Sequence, residues 1–103
     1  MKMNKVILIG RLTRDPESGN VTKFSLAVDR KYKKEGQPDA DFINCKAFGK
    51  TGDFIAKYFT KGKRVAVDGR IQVSKYEEKY YTDVIVESAE FADGKKDEGF
   101  GEV

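Results

Sequence analysis

Along most of this chain apolar residues recur at every second position, and many of them are β-branched. That period belongs to strands with one buried face, so the chain is expected to be all-β. Phe24, Leu26 and Val28 mark one such strand over Thr22 to Asp29, and Val65, Val67, Gly69, Ile71 and Val73 mark another over Arg64 to Tyr76, all read as inward-facing. An opening apolar run spans Lys5 to Leu12, where Gly10 allows a bulge or sharp bend. Asp15-Pro16 and the hairpin-type dipeptide Gly19-Asn20 supply turns. A third strand runs Asp41 to Phe48 and is closed by Gly49; a last one runs Tyr80 to Glu90 after Glu77-Glu78-Lys79.

Only one stretch carries a helical pattern. Phe54, Ile55, Tyr58 and Phe59 fall at i, i+1, i+4 and i+5, which predicts a short amphipathic helix with Gly62 as its stop signal. Five strands with one helix between the third and fourth is the order of an OB-fold, a small Greek-key barrel that binds oligonucleotides. The folded body is expected to occupy residues 1–91. From Ala92 to Val103 the chain turns too polar to build a core, which predicts a short flexible tail.

Composition narrows the chemistry. With 103 residues there is room for one compact domain. Histidine is absent, which removes His-dependent triads, His acid/base catalysis and His-bearing zinc sites. The single cysteine, Cys45, excludes disulfide frameworks, and its inward parity suits a buried, inert thiol. Asp15, Asp29, Asp41, Asp53, Asp68 and Asp83 are scattered without metal-binding spacing. No enzyme, cofactor or metal is therefore expected. No apolar run approaches the roughly 20 residues of a membrane span, so a soluble, cytoplasmic protein is expected. Residues 1–90 hold 18 basic against 13 acidic groups, net +5, whereas residues 91–103 are net −2. The body is basic, as an anionic partner would require.

Alternation in the third strand separates Ile43, Cys45 and Ala47 from Phe42, Asn44, Lys46 and Phe48. The first set is core. The second combines two rings, an amide and a lysine, a mixture that a core would not accept. Rings that stack on bases of any identity, interleaved with cations for phosphates, fit single-stranded nucleic acid. Phe42 and Phe48 lie six residues apart, about 20 Å along a strand, so they would hold different nucleotides. Taken alone, the same strand would also suit a subunit interface or a seat for the long loop. Arg70, Gln72, Ser74 and Tyr76 give the fourth strand a similar outward face. The loop of residues 30–40 sets Tyr32 among Arg30, Lys31, Lys33 and Lys34. Lys5 and Lys75 join Asn44, Lys46, Arg70 and Gln72 as further candidate phosphate or polar contacts. Phe24, Phe54 and Phe59 are assigned to the core with Tyr58 as a further candidate, and one of Tyr80 and Tyr81 is expected to join them.

These segments resemble the bacterial single-stranded DNA-binding protein family, SSB. The resemblance rests on Asn4 to Leu12, Asp15-Pro16-Glu17, Phe24 to Val28, Asp41 to Cys45, Phe48-Gly49-Lys50, Tyr58 with Lys61-Gly62, and Val67 to Ile71, in order and spacing over residues 4–91. It implies sequence-tolerant binding and protection of single-stranded DNA in replication, repair and recombination. It also implies stacking by Tyr32, Phe42, Phe48 and Tyr76, backbone contacts from Lys50 and Lys61, and a homotetramer whose dimers pair through the first strand. Three of the four ring positions are commonly Trp in the family, and this chain has no Trp. The family's acidic tip, closing on Pro-Phe, recruits repair proteins; Glu98-Gly99-Phe100-Gly101-Glu102-Val103 departs from it, which counts against recruitment of that kind. Two other uses of such a barrel are protein assembly and RNA binding.

Overall fold

A computed structural model describes residues 1–93. It contains β1 (Val6–Leu12), β2 (Val21–Asp29), β3 (Ala40–Phe48), α1 (Gly49–Tyr58), β4 (Arg64–Tyr76) and β5 (Lys79–Phe91). The strands close into one barrel in the order β1-β2-β3-β5-β4, antiparallel throughout except where β3 runs parallel to β5. This is the expected OB-fold, with the helix between β3 and β4.

The inward parity of each strand supplies the core. Leu12, Phe24, Leu26, Cys45, Ala47, Val65, Val67, Val84 and Val86 are buried together with Ile55 and Phe59 from the helical segment. Burying a side chain of the Leu or Phe class contributes about 1.5–3 kcal/mol, so this cluster is the main source of cohesion. The helix α1 packs against β3, β2 and β5. Its approach is close at Gly52, where a Cβ would lie 2.6 Å from the Ala47 carbonyl oxygen, and the Thr22 hydroxyl donates to the Gly52 carbonyl at 3.0 Å. The helix ends at Tyr58 with Phe59 as its cap, ahead of Gly62, which adopts φ +88° in the following turn. Phe54 is only partly buried and Tyr58 is exposed.

Beyond the barrel, the second half of β4 departs from the expected pattern. Ile71 and Val73 keep core parity but are exposed, because Arg70–Tyr76 and the start of β5 project past the barrel as a two-stranded arm with no layer over either face. The register shift that marks a bulge lies between Asp68 and Gly69 of β4, not at Gly10. At Gly69 a Cβ would sit 1.9 Å from the Ile85 carbonyl oxygen, so β4 and β5 approach this closely at the bulge only because the side chain is missing. Neither Tyr80 nor Tyr81 is core: both lie on the arm and are exposed. At the other end of β5, the Ala92 N–H donates to the Arg64 carbonyl, and Asp93 accepts from the Arg64 N–H at 3.0 Å. The flexible tail is expected from Ala92, but its first two residues are thus tied to Arg64; the rest of it, from residue 94 onward and including the Phe100 ending, lies outside the described residues.

Candidate nucleic-acid interface

Strand pairing puts β3, β5 and β4 side by side, and their outward residues form one face. Lys46 stands opposite Ile85, which in turn stands opposite Arg70; Asp83 is opposite Gln72, and Tyr81 is opposite Ser74. Ile85 is buried although it belongs to this outer parity, flanked by Lys46 and Arg70. Phe42 and Phe48 lie at either end of the β3 row, 69% and 53% exposed, with Asn44 and Lys46 between them. Tyr76 closes the β4 row at 65% exposed. Rings as large as these, left in water along a strand that has a well-filled core behind it, are available for stacking.

The loop from Arg30 to Asp39 is organised rather than slack. Its Arg30 N–H donates to the Asp39 carbonyl at 2.8 Å, and the Arg30 guanidinium donates twice to Asp41 Oδ1, at 2.8 and 3.1 Å, and once to Gln37 Oε1 at 3.4 Å. Lys33 pairs with Asp39. Tyr32, at 82% exposed, stands out from this loop with Lys31 5.9 Å from its ring centroid. Thus Arg30 fixes the loop on which the ring is carried.

Not every candidate cation joins these surfaces. Lys75 has the parity of Val73, opposite to Tyr76, and its Nζ lies 5.6 Å from the Tyr80 ring centroid on the other side of the arm. Lys5 pairs with Asp68 at 3.4 Å, beside the exposed Ile7 of β1. Lys50 lies two residues after Phe48, in the first turn of α1. Lys61 lies in the turn between α1 and β4, its backbone N–H donating to Asp15. On the main face, Lys46 pairs with Asp83 at 3.4 Å, and Arg70 contacts Glu87 at 3.7 Å and Gln72 at 3.1 Å. Tyr81 is the exposed ring on this face that sequence pattern alone did not nominate. Its signal was present in its spacing from the turn, since a two-residue turn after Tyr76 sets Tyr81 opposite Ser74.

Two titrating groups are displaced. Burial, assisted by the negative charge of Asp83, pushes the Cys45 thiol up to about 12. A hydrogen bond from Ser88 holds the Asp68 carboxyl below its ordinary value, with Lys5 adding to the effect. Among the described residues no cluster of His, Cys, Asp or Glu could hold a metal ion, and no helix is long and apolar enough to cross a membrane.

A closed five-stranded barrel with aromatic and basic rows on one side agrees with what comparison of the sequence finds. Residues 3–92 match the model of the single-strand binding protein family. The chain belongs to that family. A relative described as "Single-stranded DNA-binding protein" from Clostridium perfringens is 50% identical, the match covering 96% of this chain and 75% of the relative. "Single-stranded DNA-binding protein 2" from Clostridium acetobutylicum is 48% identical over 92% of this chain and 80% of its own. "Single-stranded DNA-binding protein" from Fusobacterium nucleatum is 46% identical over 94% of this chain and 71% of its own. As a member of the family, the barrel falls in a class of binding proteins rather than catalysts.

Proposed function

We propose that this chain binds single-stranded DNA without sequence preference and protects it during replication, repair and recombination in the cytoplasm. The observation that carries this is the β3 row, in which two exposed rings flank an amide and a lysine on a face shared with Arg70 and Tyr76. Tyr32, Phe42, Phe48 and Tyr76 stack on bases. Lys31, Lys34, Lys46, Lys50 and Arg70 neutralise phosphates, and Asn44 and Gln72 offer hydrogen bonds. Residues 1–91 form the binding unit, with residues 92–103 as its short tail. Membership of the family and the relatives' names support the same ligand.

A homotetramer, with dimers paired through β1, is part of this proposal. Its support is the outer row of β1, where Ile7 and Ile9 are exposed next to Ala66 and Asp68 of β4, an apolar strip that a second copy would cover. Titration with poly(dT) across a range of salt, with mass read by light scattering, tests both statements. Saturable binding that weakens steeply with salt, at four times the chain mass, is the expected result. Weak binding with a flat salt response would overturn the DNA assignment and turn the aromatic row toward a protein; a monomer mass would overturn the assembly.

A further inference from the structure

The arm formed by the ends of β4 and β5 carries two tyrosines that the barrel does not use. Tyr80 and Tyr81 are neighbours in sequence and therefore face opposite ways. Tyr80 shares its face with Ile71, Val73 and Lys75, which is the continuation of the core side of β4, and Lys75 Nζ approaches its ring at 5.6 Å. Tyr81 has the other orientation. It stands directly opposite Ser74, on the face that continues through Gln72 and Asp83 to Arg70 and Lys46.

Tyr76 is on that same face, one step diagonally from Tyr81, because Tyr76 pairs with Lys79 and Ser74 with Tyr81. Diagonal neighbours in an antiparallel pair are about 7–8 Å apart, within reach of aromatic side chains. Tyr81 is 47% exposed, and among the described residues no other ring and no cation packs on it. An exposed, unpartnered ring beside a stacking candidate, on a surface that leads to cations, has the chemistry of a base platform.

We propose that Tyr81 is an additional stacking residue, set beside Tyr76 so that the two rings take consecutive bases of the strand. This rests on the chain being a single-strand binder and specifies how the arm contributes to that binding. The arm then presents a two-ring patch where the Phe42 and Phe48 positions present single rings.

The test compares Tyr81→Ala, Tyr81→Phe, Tyr80→Ala and Phe42→Ala with the parent on poly(dT), each with mass measured by light scattering. Expected is a roughly five- to hundredfold loss of affinity for Tyr81→Ala, recovered by Tyr81→Phe, with Tyr80→Ala close to the parent and all masses equal. If Tyr81→Ala binds like the parent while Phe42→Ala is weakened, the role of Tyr81 is overturned and DNA binding stands. Equal losses in Tyr80→Ala and Tyr81→Ala, or a change of mass in Tyr81→Ala, also overturn it, since the ring would then serve the arm's structure or the assembly. A parent that does not bind overturns the underlying function as well.

Discussion

At the scale of single residues, the two β3 phenylalanines separate stacking from charge. Phe42→Ala and Phe48→Ala should each weaken poly(dT) binding by about 1–3 kcal/mol, leaving the salt dependence nearly unchanged, because every cation is kept. Unaltered affinity in both would remove the β3 row from the binding surface. Cys45, directly between them in sequence but pointing inward, answers to pH instead. Its thiol titrates higher in the fold, at about 12, than in an unfolded chain. The folded state therefore holds that proton more tightly, and stability falls as pH rises from about 9 toward 12. Cys45→Ala should flatten that alkaline decline in denaturant melts. An identical pH profile in parent and variant would contradict the assignment.

Among the elements, β2 and β3 were legible because alternation and burial coincide there: Phe24, Leu26, Cys45 and Ala47 all point into the barrel as their parity requires. The arm was not. Parity fixes which face a side chain occupies, but burial also needs another layer against that face, and this is a non-local property. Hence Ile71 and Val73 continue the pattern of Val65 and Val67 and yet remain in water. The same limit applied to part of the site: the β3 row could be read from one strand, and the side taken by Lys75 follows from alternation within β4, whereas Tyr81 needed the pairing of two strands. The turn at the tip adds strain of its own. Glu77 and Glu78 both adopt positive φ, 47° and 69°, in a two-residue hairpin position that favours Asn-Gly. Replacing them together, Glu77→Asn with Glu78→Gly, should stabilise the arm by about 1 kcal/mol after allowing for the flexibility of glycine. Amide exchange across Lys75 to Tyr80 should then slow about fivefold. Exchange at the parental rate would mean that the turn is not under strain.

For the whole molecule, the question is which cations DNA meets. Lys50 and Lys61 sit at opposite ends of the α1 region, one beside Phe48 and the other beside Asp15. If the strand passes both, replacing the pair with Ala should reduce the salt slope by about 0.7 for each phosphate no longer neutralised. An unchanged slope would confine the strand to the β3, β5 and β4 face and the loop of Tyr32.

On that face and loop, Arg30, Lys33, Lys46 and Arg70 each already have a carboxylate partner within the protein, namely Asp41, Asp39, Asp83 and Glu87. A phosphate arriving at one of them replaces an anion that stays tethered a few ångströms away, ready to return. If DNA is held at these four, letting go would return each of them to its carboxylate, whereas Lys31, Lys34 and Lys50 have no such partner among the described residues. In a coat that must be stripped from DNA by whatever enzyme comes next, such pairs, if they take part in binding, would act as exchangeable grips that trade some holding strength for ease of clearance.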